Sequence, residues 1–221
     1  MKKWIYNFLP IRLTNWIEYK RQKLSLNERA VEYSFVMKHL AKRQPRKILD
    51  VGSGQTSLPS LMRTCGYLVT AIDINASNKH FHVLNKDIAQ FKTDEKFDFI
   101  TCISVLEHVE YPVHSVKNML RLLRQGGHLV LTFPYTEDEY HPNVYLLKES
   151  NAYGKTISYR CRSFSRANLR LLNLNIVDQE YWRFWSGQFW TTGHKVQPVQ
   201  VDKTDRHQLT CILIYKPIQK I

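Results

Sequence analysis

The chain has 221 residues, 43% of them hydrophobic, enough for one domain with a sizeable core. Its net charge of +13 is uneven: twelve Lys/Arg against three Asp/Glu give +9 over residues 1–47, nine against twelve give −3 over 48–154, and eleven against four give +7 over 155–221. No apolar run approaches the ~20 residues of a membrane span, no signal-peptide pattern opens the chain, and Cys65, Cys102, Cys161 and Cys211 form no CxxC pair. These features point to a cytoplasmic protein with free thiols rather than disulfides or zinc, whose basic flanks meet an anionic partner.

Residues 1–23 read as two short helices separated by Pro10, with Trp4, Ile5, Phe8 and Leu9 on one face and Leu13, Trp16 and Ile17 on another. Lys2, Lys3, Arg12, Lys20, Arg21 and Lys23 supply a basic side. Two readings fit this pattern: an interfacial segment at an anionic membrane, or a lid packing on the core. Residues 27–44 form a longer amphipathic helix with Val31, Phe35, Met37, Leu40 and Ala41 inward, closed by Pro45. Residues 1–44 are thus expected to be an N-terminal helical extension of a main domain over 45–221.

That domain begins with Arg46-Lys-Ile-Leu-Asp-Val-Gly-Ser-Gly-Gln-Thr-Ser57. The apolar run Ile48–Val51 carries one acid, Asp50, and breaks at Gly52-Ser-Gly54, which reads as a buried strand turning into a helix over 58–64. Ser57 suits its N-cap and Pro59 its first turn. A second run, Tyr67–Ile72, ends in Asp73, about twenty residues past the turn, where a ribose-binding acid belongs. Phe81–Leu84 leads to Asp87-Ile88, and Phe97–Ile103 runs into Ser104-Val-Leu-Glu-His-Val109. A helix over 113–124 and the turn Gln125-Gly126-Gly127 precede a strand at His128–Phe133. Strands alternating with helices predict a parallel sheet covered on both faces. A long connection then reaches Ser163, where substrate loops are expected. A helix at Arg166–Leu174 capped by Ser163 or Ser165, a strand at Ile176–Tyr181, an aromatic stretch Trp182–Trp190 and a closing strand Gln208–Tyr215 complete the chain.

These motifs, in this order over roughly residues 46–135, resemble the class I S-adenosylmethionine-dependent methyltransferases. The resemblance implies an α/β, Rossmann-like, seven-stranded, mostly parallel sheet whose last strand is antiparallel, with helices on both faces. It also implies S-adenosyl-L-methionine as cofactor. Gly52, Ser53 and Gly54 would pass under its amino-acid end, with Asp50 orienting the turn. Asp73 would take the ribose hydroxyls, Asp87 the adenine amino group, and Ile88 the face of the ring, with Ile74 and Ser104 alongside. Two departures stand out: Thr56 replaces the third small residue of the turn, and only Ile74–His80 link the second and third strands, too few for a crossover helix. Ser57 where G-x-G-x-x-G has its last glycine disfavours a nicotinamide cofactor.

The chain lacks the Asn/Asp-Pro-Pro-Tyr that amino-methylating relatives carry after the fourth strand, which tilts the reading toward a hydroxyl or carboxyl acceptor. A hydroxyl must lose its proton, and histidine is the natural base. His108, at the mouth of the fourth strand, is the first candidate, followed by His141 and His194. Glu107-His108 also resembles the Glu-His pair of the ubiquinone-pathway O-methyltransferases. His80 and His82 are too few ligands for a site, and no metal is expected. Tyr135, Trp185 and Trp190 are candidates for the acceptor, on the view that Phe189 and Trp190 project outward. The other reading of that aromatic stretch is a packed hairpin. The C-terminal segments are similar to methyltransferases of surface-polysaccharide synthesis. The expected function is O-methylation of a small-molecule, glycan or lipid-linked acceptor, with residues 1–23 at the inner membrane face. The alternatives are an RNA methyltransferase gripping nucleic acid through its basic flanks and a non-catalytic cofactor-binding scaffold.

Overall fold

The computed structural model describes residues 27–54, 56–75 and 82–218, so the helices expected over 1–23 and most of the link between the second and third strands lie outside it. The elements in chain order are α1 (Arg29–Arg43), β1 (Lys47–Val51), α2 (Leu58–Thr64), β2 (Leu68–Asp73), β3 (Val83–Asn85), β4 (Phe97–Ile103), α3 (Pro112–Leu122) and β5 (Leu123–Pro134). There follow a 3-10 turn (Val144–Leu146), α4 (Arg166–Leu171), β6 (Ile176–Trp185), β7 (Lys195–Val201) and β8 (Leu209–Tyr215).

The eight strands among the described residues join one sheet in the order β3-β2-β1-β4-β5-β8-β6-β7. The first five run parallel, and β8 runs antiparallel to both β5 and β6. The seven-stranded expectation gains one strand: β7 turns back from β6 and pairs antiparallel on its free side, Tyr181 opposite Val201 and Trp185 opposite Lys195. Its segment, Lys-Val-Gln-Pro-Val-Gln-Val, has too little apolar alternation to announce a strand. As an edge strand it needs only one bonded side.

Alternate residues of the central strands feed two layers, as the pleat requires. Ile48, Phe99, Val130 and Leu213 pack with Phe35, Val36 and Leu40 of α1 and with Leu58 and Met62 of α2. Leu49, Ile100, Leu129, Leu131 and Ile212 pack on the other face with Val116, Met119 and Leu122 of α3 and with Leu169 of α4. The inward stripe of α1 is Glu32, Phe35, Val36, His39 and Leu40, at helical spacing, while Met37 is half-buried and Ala41 exposed. Two polar residues therefore sit on the face that the sequence reading reserved for apolar ones. His39 Nε2 lies 3.1 Å from Asp178 of β6, and Lys38 reaches Glu180 at 2.6 Å, fastening α1 across the antiparallel half of the sheet. Ser165 caps α4: its N–H donates to Asn168 Oδ1 at 2.9 Å. The parallel strands bring Asp73, Ser104 and the residues after Pro134 to one edge of the sheet, where ligands of open α/β sheets bind.

Candidate active site

The turn after β1 is built on two positive-φ glycines, Gly52 at 72° and Gly54 at 52°. A Cβ on Gly52 would stand 2.2 Å from Val105 Cγ2, so the missing side chain lets the loop after β4 close over the turn. Gly54 differs. A Cβ there would meet Asp73 Oδ2 at 3.9 Å, an ordinary contact, so the positive φ rather than crowding calls for glycine. Gly54 N–H donates to Asp73 Oδ2 at 2.8 Å and Asn75 N–H to Oδ1 at 2.7 Å. Each carboxylate oxygen keeps a lone pair for a ligand diol.

Beneath the turn, Asp50 accepts from Ser53 Oγ at 2.6 Å and from Thr101 Oγ1 at 2.5 Å. Burial pushes its carboxyl up to about 6 against the pull of those two bonds. Asp50 and Ser53 thus lock each other under the backbone. Farther along, Asp87 is exposed and its Oδ1 accepts from Ala89 N–H at 2.8 Å. Asp87, Ile74, Gln90, Phe91 and Lys92 line an open cleft of about 710 Å³. Ile88, expected against the adenine ring, is instead a core residue with 4% exposure, so Ile74 and Phe91 are the apolar groups facing this cleft.

The loop after β4 is anchored from α1. Glu32, wholly buried, accepts on Oε1 from Ser104 Oγ at 2.5 Å and Thr132 Oγ1 at 2.6 Å, and on Oε2 from Arg29 Nη1 at 2.8 Å. Ser104 is left-handed at φ 50°, and its N–H donates to the Thr132 carbonyl at 3.0 Å. The Ser104 hydroxyl, expected beside the cofactor, is therefore committed to Glu32. Burial raises the Glu32 carboxyl above its usual range, while Arg29 and the two hydroxyls pull it back. Arg162, 5% exposed, holds the far end of the loop by donating to the carbonyls of Glu107, Val109 and Glu110.

Between these anchors stands His108. Its Nδ1 lies 2.6 Å from the Arg160 carbonyl, which needs a proton there, so Nε2 carries the lone pair. The Tyr159 ring meets the imidazole edge-on at 4.8 Å. Burial lowers the His108 pKa against the pull of the Arg160 bond, and the charges of Arg29 and Arg162 lower it further, so the ring is neutral at neutral pH. Glu107, 3% exposed, has Oε1 3.7 Å from His108 Nε2 and an Oε2 with no hydrogen-bond partner among the described residues. Burial pushes its carboxyl up to about 8, so it is a neutral acid at pH 7.

A family model described as a methyltransferase domain matches residues 20–178. The chain belongs to the S-adenosylmethionine-dependent methyltransferases. Among curated relatives, the ubiquinone biosynthesis O-methyltransferase of Alkalilimnicola ehrlichii is 31% identical over 112 residues, covering 44% of this chain and 45% of the relative. The mitochondrial enzyme of that name from Schizosaccharomyces pombe is 30% identical over 102 residues, covering 39% and 37%. The chain thus matches under half the length of either relative. Two solved structures share the fold. The N-methyltransferase NodS from Bradyrhizobium japonicum, in complex with S-adenosylhomocysteine, has 17% identity, a TM-score of 0.55, and 90% and 91% of the two chains covered. The 1,6-didemethyltoxoflavin-N1-methyltransferase of Burkholderia thailandensis has 15% identity, a TM-score of 0.58, and 85% and 77% covered.

The methyltransferase's own residues fit S-adenosylmethionine: a glycine turn with no side chain at Gly54, a two-oxygen acceptor at Asp73, and an open, mostly polar cleft where Ile74 and Phe91 stand beside Asp87 and two lysines. Asp73→Ala is expected to weaken S-adenosylhomocysteine binding by about 1–3 kcal/mol, the scale of hydrogen bonds to a charged group, read by titration calorimetry. Glu107 gives a second expectation. Its folded pKa of about 8 lies above the model-compound 4.5, so its contribution to stability is complete below 4.5 and is lost as pH rises through 8. Glu107→Gln should therefore melt later relative to the parent at pH 9 than at pH 5. The shift should be at least about 1.4 kcal/mol, the worth of one pKa unit.

The methyltransferase places other sequence candidates elsewhere. His141 Nδ1 accepts from Asn143 N–H at 3.2 Å, and its ring packs on Phe189 at 5.4 Å. His194 is exposed and pairs with Ser186 at 2.9 Å. Tyr135 is 1% exposed, stacks on His207 at 5.6 Å and donates to Glu137 at 3.0 Å, and with Arg166, Leu169 and Tyr181 it lines a cleft of about 460 Å³. Trp185 and Trp190 meet edge-to-face at 6.1 Å and are half-buried. Phe189, expected to point outward, is 5% exposed beside Val144 and Cys161. The loop at Gly187 explains this: Gly187 N–H bonds the Thr192 carbonyl at 3.1 Å, and Phe189 N–H bonds Thr192 Oγ1 at 2.9 Å. That tight return tucks Phe189 under the loop. Glu32, Arg162 and Tyr159 were not singled out from the sequence. The one signal was an acid on the inward face of α1.

Proposed function

We propose that this methyltransferase methylates a hydroxyl oxygen of a small-molecule or glycan acceptor. The observation that carries this reading is the state of His108: Nδ1 tied to the Arg160 carbonyl, Nε2 bare, and the ring held neutral by burial and two cations. S-adenosylmethionine supplies a methyl group on a positively charged sulfur, open to in-line displacement. Amines attack such a centre unaided once unprotonated, whereas an alcohol needs a base. His108 Nε2 takes the hydroxyl proton as the oxygen–methyl bond forms and the carbon–sulfur bond breaks. The Arg160 carbonyl steadies the resulting imidazolium through Nδ1–H. Much of the remaining acceleration comes from holding acceptor and methyl group in line. The name O-methyltransferase borne by the curated relatives agrees with this reading.

Labelled S-adenosylmethionine with a panel of phenols, sugars, carboxylic acids and amines tests it, with mass spectrometry to place the methyl group. Methyl ethers are expected. Turnover confined to amines or carboxylic acids would overturn the assignment.

A further inference from the structure

The connection between β5 and α4 encloses a cleft of about 430 Å³, within the size range of small-molecule sites. Its walls include Tyr145, Leu146, Tyr153, Lys155, Thr156 and Tyr159. The wall at Tyr145 is rigid. Asn143 Oδ1 accepts from the N–H groups of Tyr145 at 3.3 Å and Cys161 at 3.2 Å, and Val144 N–H donates to the Cys161 carbonyl at 2.8 Å. Yet Leu146, Tyr153 and Tyr159 leave 71%, 53% and 54% of their surface in water around this one cavity. Large apolar side chains gathered at one exposed place mark a recognition surface.

The cleft adjoins His108 through one shared side chain. Tyr159 is its wall on one side and touches the His108 imidazole on the other, at 4.8 Å, while Tyr145 meets Tyr159 edge-on at 6.1 Å and 71°. We infer that this cleft is the acceptor subsite and that it takes a hydroxyl-rich ring, such as one sugar residue of a glycan; the assignment rests on the hydroxyl-acceptor reading above. Tyrosine faces suit the C–H face of a pyranose, and the phenol rims with Lys155 and Thr156 suit its hydroxyl edge. A pure hydrocarbon would leave that polar rim unmatched, and a multiply charged acceptor would find Lys155 as the one cation among the residues that line the cleft. The acceptor surface therefore shifts from Tyr135, Trp185 and Trp190 to the tyrosines of this connection.

Saturation-transfer NMR on protein saturated with S-adenosylhomocysteine tests this, using methyl pyranosides as probes and catechol and benzylamine as comparators. At least one pyranoside is expected to receive saturation through its ring protons. Its Kd should rise three- to tenfold in Tyr153→Ala, the scale of one aromatic contact, and further in Leu146→Ala/Tyr153→Ala, with S-adenosylhomocysteine affinity unchanged. Both side chains are largely exposed, so their truncation spares the fold. No pyranoside signal, a signal undiminished in both variants, or saturation of catechol alone would each overturn the subsite. Failure of the parent protein to bind S-adenosylhomocysteine would instead strike the cofactor reading on which everything here rests.

Discussion

His108→Ala is expected to lower turnover roughly 10²–10⁴-fold, the range for removal of a general base, with S-adenosylhomocysteine affinity preserved. Among the described residues the ring is held by neither Gly54 nor Asp73. Its bonds go to the Arg160 carbonyl and its faces to Tyr159. The pH profile separates a base from a packing residue. Burial, Arg29 and Arg162 depress the His108 pKa below 6.5, so the neutral form survives to lower pH than an ordinary imidazole. The acid limb of parent kcat/KM should lie at lower pH than an ordinary imidazole gives, and His108→Ala should lose that limb. Single-turnover measurements across pH read both quantities. Unchanged turnover in the variant returns His108 to a packing role and removes the ground for choosing oxygen over nitrogen.

Glu32→Ala has the largest expected effect on stability. Removing one partner of a buried ion pair costs about 3–5 kcal/mol, and the low end applies because Arg29 is 30% exposed and keeps part of its hydration. The Ser104 and Thr132 hydroxyls also lose their acceptor. At about 3 kcal/mol the melting temperature falls by roughly 6–12 °C for a chain of this size. Glu32→Gln should recover part of the loss, since its carbonyl can accept from both hydroxyls, but its amide would face Arg29 donor to donor. The effect extends to catalysis. Ser104, held left-handed by this contact, begins the loop that ends in His108, so turnover in Glu32→Gln is expected to fall further than folded fraction accounts for. Thermal melts beside activity per folded molecule check this. A variant that melts with the parent would show that Glu32 carries no such load.

The parallel half of the sheet was readable because its central strands β1 and β4 are buried almost throughout and so appear as apolar runs, and because glycine at positive φ has few substitutes. Asp73 was readable from its distance to the turn. What stayed hidden depended on distant partners. Glu32 is an ordinary helix acid until its partners Ser104 and Thr132, 72 and 100 residues away, come to lie beneath it. Tyr135 follows a strand at the expected edge, but its ring is captured by His207 from the segment just before β8, which no local pattern announces. Phe189 and the eighth strand were misjudged for a shared reason: the fold-back between β6 and β7 is set by side-chain bonds of Thr192 rather than by a familiar turn pair.

The added strand carries Pro198 in its middle, opposite the irregularity in β6 between Arg183 and Trp185. Proline offers no N–H outward, and a bulge twists the margin away from flatness. At the other margin β3 is only three residues long. Among the described residues, a second copy of the chain finds a short strand at one margin and a proline-interrupted one at the other. Both margins thus work against ribbon-like growth from strand to strand.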